Sequence, residues 1–113
     1  MVARGEVRWV DFGEPIGSEP AYRRPALIVS SDRFNRSRIS TALVSAITTN
    51  VRLAAAPGNV ELESGAAGLD KDCVVNVSQT LVVDRSRLGE PTGALDVVTM
   101  RHVDDGLRLV LDL

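Results

Sequence analysis

Hydrophobic positions recur at strand spacing up to Asp96 and at helix spacing beyond it. Glu6-Val7-Arg8-Trp9-Val10-Asp11 is a short β-type run. It is closed by Gly13-Glu14-Pro15-Ile16-Gly17-Ser18-Glu19-Pro20, where glycine and proline stop any regular element and predict an exposed loop. Pro25 to Ser30 is a continuous aliphatic run of buried-strand length, with its proline at the strand entrance where no ladder donor is required. Asp32 to Arg38 is polar and predicts a turn or a single helical turn, and Thr41 to Thr48 predicts the next strand. Pro57-Gly58 marks the turn before Asn59 to Leu62, and Gly65 and Gly68 bracket a second loop. Cys73 to Val77 and Thr80 to Val83 are two more β-rich runs separated by Ser78 and Gln79, followed by a polar turn at Asp84 to Arg87.

From Asp96 the period changes. Val97, Met100, Val103, Leu107, Val110 and Leu111 recur at steps of three and four, which predicts one amphipathic helix with Asp96 as its N-cap. Gly106 lies inside that helix at a cost of about 1 kcal/mol relative to alanine, which points to another element approaching closely there. Six or seven short strands and a terminal helix predict a mainly β fold: a small, strongly curved β-barrel with the helix packed on it, residues 1–113 forming a single domain.

Composition narrows the class. Aromatics make up only 4% of the 113 residues, so the core must be aliphatic. No apolar run approaches the roughly 18 residues that would span a bilayer, and Met1 to Glu6 contains no signal-peptide core, so neither export nor a membrane is expected. The single cysteine, Cys73, has no partner for an internal disulfide and no ligand-spaced neighbours, so no metal site is expected and the cytoplasm is the natural compartment. Cys73 itself is read as packing rather than nucleophile.

Net charge is -2, but it is unevenly distributed. Residues 23–52 hold Arg23, Arg24, Arg33, Arg36, Arg38 and Arg52 against one acid, Asp32, a formal +5. The remaining 7 basic and 14 acidic residues carry -7. A basic centre in an acidic chain suits a phosphate-binding face. Twelve of the thirteen basic residues are arginine, which a GC-rich genome with its eleven alanines also explains, but such a bias leaves the clustering unaccounted for.

Four pieces in order carry a resemblance: Gly5-Glu6-Val7-x-Trp9-Val10-Asp11-Phe12, then Gly17-Ser18-Glu19, then Arg24-Pro25-Ala26-Leu27-Ile28-Val29, then Ala46-Ile47-Thr48. With the later Val74-Val75-Asn76-Val77-Ser78-Gln79 run and the closing helix, the chain resembles the MazF/PemK toxins over nearly its whole length. The resemblance implies an SH3-like barrel of the CcdB/PemK type. It further implies a homodimer, the toxin of a type II toxin–antitoxin system, that inhibits translation and growth by cutting single-stranded RNA at short specific sequences. The target would be mRNA, with rRNA and tRNA as alternatives. Its partner would be a MazE-like antitoxin, physically expected to lay an acidic, partly disordered segment across the basic face. No metal and no cofactor are implied.

The resemblance makes Arg24 and Thr48 the catalytic pair, because they occupy the arginine and threonine of the family's Arg-Pro and Ile-Thr motifs. The reaction implied is attack of the RNA's own 2′-hydroxyl on the adjacent phosphate, leaving a 2′,3′-cyclic phosphate and a 5′-hydroxyl. A fixed guanidinium and a hydroxyl donor would stabilise the charge that builds on the phosphate oxygens. Proton transfer lacks its usual agent: the only histidine, His102, is in the terminal helix, and arginine almost never gives up its proton. Glu19 and Asp11 are the candidate proton acceptors. The candidate RNA-contacting set is Arg23, Ser18, Asn50, Asn76, Ser78 and Gln79, with Gln79 able to read a base edge. Family members can carry an acid at the position of Ser78 and a base at that of Asn76; neither charge is present here. Arg33, Arg36 and Arg38 are read as a solvated turn that would still help to hold RNA, and Trp9 as core or a dimer contact ahead of base stacking.

Two alternatives stand beside this reading. One is a CcdB-like poison of DNA gyrase, whose resemblance rests on a tryptophan near the C-terminus; here the chain ends Leu109-Val110-Leu111-Asp112-Leu113 and its only Trp is residue 9. The other is an RNA-binding barrel without catalysis.

Overall fold

Residues 1–14, 17 and 22–113 are described by a computed structural model. The β-type runs pair into one six-stranded antiparallel sheet: β1 (Glu6–Asp11), β2 (Arg23–Ile28), β3 (Thr41–Thr48), β4 (Val60–Leu62), β5 (Cys73–Asp84) and β6 (Leu88–Ala94), in the order β4-β5-β3-β2-β1-β6. A single helical turn, α1 (Asp32–Asn35), joins β2 to β3, and α2 (Val97–Leu111) closes the chain. The order leaves β4 and β6 as free edges, so the barrel is a strongly curled sheet, a half-barrel rather than a closed ladder.

Successive strand residues face opposite ways, and here both faces are buried. Val7, Leu27, Ile47, Val75 and Val77 pack on one face beneath Val103 of α2, while Val10, Ala26, Ile28, Ala42, Val44 and Val83 pack on the other. That is why Pro25 to Ser30 reads as an unbroken apolar run instead of an alternating one. Full burial of Leu27, Ile28 and Ile47 contributes about 1.5–3 kcal/mol each, which shows how an aliphatic core serves without aromatics.

Three features differ from the sequence expectation. The two runs around Ser78 and Gln79 are one strand, β5, whose pairing jumps from Ser45↔Thr80 to Ala46↔Asn76, so Val77, Ser78 and Gln79 form a bulge. Hydrogen bonds stitch it together: the Ser45 and Thr80 hydroxyls lie 2.6 Å apart, Thr80 Oγ1 donates to the Val77 carbonyl (2.8 Å) and the Val77 N–H donates to Asn59 Oδ1 (3.0 Å). Strand β6 was hidden by Gly89, Pro91 and Gly93, residues of poor strand propensity that an edge position tolerates. Along α2 only part of the expected stripe is covered. Val103 and Gly106 are buried and Met100 and Leu107 half-buried, whereas Val97, Val110 and Leu111 are exposed. Asp96 does cap the helix, accepting from the Thr99 N–H at 2.7 Å. No helix among the described residues is long and apolar enough to cross a membrane.

Candidate functional site

The β2–β3 register pairs Ala26 with Ala46, Leu27 with Ser45 and Ile28 with Val44. The ladder ends there; continued two residues, it would set Arg24 opposite Thr48 at neighbouring strand ends. Arg24 shares its side of β2 with Ala26 and Ile28, and Thr48 shares its side of β3 with Ala46 and Val44. Thr48 is paired on its other flank with Val74 of β5, and Ala46 with Asn76. Arg24, Thr48 and Asn76 therefore stand on one face around the small side chains of Ala26 and Ala46.

Local hydrogen bonds fix this end of the sheet. The Asn50 N–H donates to Thr48 Oγ1 (3.1 Å), and Asn50 Oδ1 accepts from the Arg52 N–H (3.3 Å), starting the 3-10 turn Val51–Ala55. With its oxygen accepting from Asn50, the Thr48 hydroxyl keeps its own proton to donate. Ser78 Oγ donates to Asn76 Oδ1 (2.6 Å), tying the β5 bulge to the buried Asn76. Gln79 occupies that bulge, half-buried. Thr48, Asn50, Asn76, Ser78 and Gln79 are thus brought to one region with Arg24.

Other candidates fall elsewhere. Asp11 is paired with Arg23, one step from the Val10–Arg24 pair, so alternation puts Asp11 and Arg23 on the side opposite Arg24. Asp11 is exposed and accepts from the Gly13 N–H (2.9 Å). The Arg23 guanidinium carbon lies 5.6 Å from the centre of the Trp9 ring, and Trp9 is 36% exposed, so of the two roles expected for it, core or dimer contact, the core role does not hold. Ser18 and Glu19 lie outside the described residues. His102 stands on α2 beside Asn59 and Glu61, in the groove between α2 and β4. Cys73 is buried at the head of β5, and burial first, then the Asp72 carboxylate, push its thiol above the ordinary range. Among the described residues no cluster of His, Cys, Asp and Glu is arranged to hold a metal ion.

The basic stretch is divided by the fold. Arg23, Arg24 and Arg52 lie near the Thr48 end of β3, whereas Arg33, Arg36 and Arg38 surround the opposite end, where the Arg85 N–H donates to Ser40 O (2.8 Å) and Arg85 Nε to Thr41 O (3.1 Å). A buried pair holds that corner: Ser30 Oγ donates to Asn35 Oδ1 (2.6 Å) and Asn35 Nδ2 to the Ser30 carbonyl (2.9 Å). Outside the stretch, Arg4, Arg8 and Arg108 are each paired with a carboxylate, Asp104, Glu6 and Asp105.

Sequence reasoning missed one feature of the site. A cleft of about 610 Å³ opens beside Arg24, floored by Pro25, Ile47, Leu69 and Cys73 and rimmed by Trp9, Tyr22, Arg23, Thr49, Asp70 and Lys71. Thr48 does not line it. The sole signal in the sequence was the lone lysine of the chain, Lys71, between two acids in the run Asp70-Lys71-Asp72.

The family model for the PemK-like, MazF-like toxin of type II toxin–antitoxin systems matches residues 3–111. The chain belongs to that family. It is 43% identical over 113 residues to endoribonuclease MazF6 of Mycobacterium tuberculosis, covering 100% of this chain and 99% of that protein. It is 34% identical to endoribonuclease EndoA of Bacillus subtilis, covering 100% of this chain and 97% of the other. Among solved structures, an endoribonuclease in complex with its cognate antitoxin from a mycobacterial species matches with a TM-score of 0.82 at 24% identity, covering 100% of this chain and 97% of that one. The half-barrel with its closing helix is thus the fold of the PemK/MazF toxins.

Proposed function

We infer that the protein is the endoribonuclease toxin of a type II toxin–antitoxin pair, and that it cuts single-stranded RNA at Arg24 and Thr48 without a metal ion. The observation that supports this is the β2–β3 register, which ends at Ala26–Ala46 and, continued two residues further, would bring the arginine and threonine of the two motifs opposite one another in a chain of this family. Full-length relatives named as endoribonucleases support the activity.

In the step proposed, the RNA 2′-oxygen forms a bond to the adjacent phosphorus as the bond from phosphorus to the 5′-oxygen breaks. The 2′-hydroxyl proton passes to an acceptor and the leaving 5′-oxygen takes up a proton, giving a 2′,3′-cyclic phosphate and a 5′-hydroxyl. Arg24 and the Thr48 O–H hold the phosphate oxygens, where charge accumulates; one such preorganised donor is worth roughly 10²–10³ in rate. Glu19 and Asp11 remain the acceptors proposed, with strand alternation turning Asp11 away from Arg24. Arg23, Ser18, Asn50, Asn76, Ser78 and Gln79 are proposed to contact the strand.

The toxin is proposed to act as a homodimer, for which the exposed Val98, Leu109 and Leu111 of α2 offer apolar surface. It is silenced by a MazE-like antitoxin whose acidic segment suits the arginines near Thr48. The test is to incubate the purified protein with a long unstructured RNA in excess chelator and map the ends, beside a gyrase supercoiling assay. Cyclic-phosphate ends that vanish in Arg24→Ala are expected. Uncut RNA, cutting that survives Arg24→Ala, or inhibition of gyrase instead would overturn the reading.

A further inference from the structure

We propose that the cleft, which opens on the sheet face opposite Thr48 and is bordered by Arg24 at the end of β2, is a nucleobase subsite: a base next to the cut phosphate passes round that strand end and stacks on Trp9 and Tyr22, and Asp70 selects bases that carry an exocyclic amino group. This rests on the reading that the chain cuts RNA.

The cleft's volume of about 610 Å³ lies in the range of small-ligand sites. Its floor of Pro25, Ile47, Leu69 and Cys73 is apolar, as the face of a base requires. Trp9 sits on β1 between the fully buried Val7 and Val10 positions yet leaves 36% of its surface open. Arg23 on its ring makes a cation–π platform of fixed orientation. Aromatic faces of this kind take any base, at a cost in binding when the ring is removed.

Tyr22 supplies an independent observation. Its φ of 56° lies in the left-handed region, where a bulky side chain is an outlier, and the residue is 63% exposed and lines the cleft. Two backbone hydrogen bonds to the end of β1 hold it there: the Phe12 N–H donates to Tyr22 O (2.7 Å), and the Tyr22 N–H donates to Gly13 O. Glycine would adopt the same backbone freely. Strain of this sort, held by surrounding structure, gathers at ligand sites.

The rim sets the chemistry. Among the described residues Arg23, Arg24 and Lys71 line the cleft beside one acid, Asp70, so an anionic strand is favoured over a neutral or cationic ligand. An ionised carboxylate is acceptor-only. It accepts from the amino group of cytosine, adenine or guanine, whereas uracil offers it only the N3–H, flanked on both sides by carbonyl oxygens that repel a carboxylate.

Two measurements on the full chain test this. First, RNA with randomised positions around the cut is digested in chelator and the products are sequenced. At one flanking position the wild type should disfavour uracil. Asp70→Asn, whose amide both donates and accepts, should relax that preference roughly five- to a hundredfold while leaving other positions unchanged. Second, Trp9 is the only tryptophan, so its emission reports the cleft directly with an uncleavable 2′-deoxy oligomer. Quenching is expected in the wild type, and Tyr22→Gly should raise the oligomer's Kd by roughly five- to a hundredfold without lowering the thermal midpoint. Unchanged base preference in Asp70→Asn, or Trp9 emission indifferent to a saturating oligomer, overturns the subsite. Wild-type protein that quenches but does not cut overturns the nuclease reading instead.

Discussion

Gly58 and Gly106 meet backbone to backbone: a Cβ on Gly106 would overlap the carbonyl oxygen of Gly58, and one on Gly58 would lie 2.9 Å from the Gly106 carbonyl oxygen. The turn before β4 is thereby laid directly on α2. Alanine at Gly106 would gain about 1 kcal/mol of helix propensity, but it would push the helix off this turn, an overpacking cost of about 1–3 kcal/mol with the buried Val103 dragged along. Gly106→Ala is therefore expected to lower the thermal midpoint, as seen by circular dichroism. A stabilised variant would mean that the contact carries no constraint.

Thr48 tests the donor role separately from the charge of Arg24. Valine keeps the β-branched shape that suits a strand and removes only the hydroxyl. Thr48→Val should slow single-turnover cutting by about a hundredfold. Its thermal midpoint should move little, because Thr48 is half-buried at a strand end and its hydroxyl accepts from the N–H of the exposed Asn50. A rate within twofold of wild type would remove Thr48 from the chemistry.

Asp96 makes a pH-dependent contribution with a definite sign. Its carboxylate is held below the ordinary value by the Thr99 N–H, then by the Thr99 hydroxyl, with His102 adding a smaller pull. A carboxyl lowered in the folded state stabilises above its unfolded value, about 3.9, and loses that contribution as pH falls through the folded value. The gap in melting temperature between wild type and Asp96→Ala should therefore be full at pH 7 and close below about pH 4. A gap that is constant down to acid pH would show that the cap acts without its charge.

The elements with strong local signals were readable in the chain itself. Glu6–Asp11 and Thr41–Thr48 are the strands their patterns predict, and the Asp96 cap and the close approach at Gly106 follow from residue chemistry. What could not be read depends on partners distant in sequence. Leu88–Ala94 is a strand only because β1 offers it an edge, despite Pro91. The bulge that carries Ser78 and Gln79 is set by pairing with β3, thirty-odd positions earlier. Arg24 and Thr48 were singled out through family motifs, whereas the cleft that Arg24 borders joins residues from β1, β2, β3 and the run before β5 in a way no local pattern encodes.

The same long-range pairing changes what the basic stretch does. Read along the chain, residues 23–52 form one positive block, but β3 separates Thr48 from the Arg33, Arg36 and Arg38 corner by seven residue steps, about 23 Å at ~3.3 Å each. Arg85 joins that corner and keeps one guanidinium nitrogen buried without a hydrogen-bond partner among the described residues. A short RNA spanning the cut cannot reach so far, while a long one can wrap there through its phosphates. Replacing Arg36 and Arg38 together with glutamine should weaken a long RNA without changing its sequence preference. The salt dependence of log K should flatten by about 1.4, from a slope near 0.7 per single-strand phosphate contact. Binding and cutting of a short oligomer should be untouched. Equal losses for both lengths would instead place these arginines at the cut site itself, against the separation that β3 imposes.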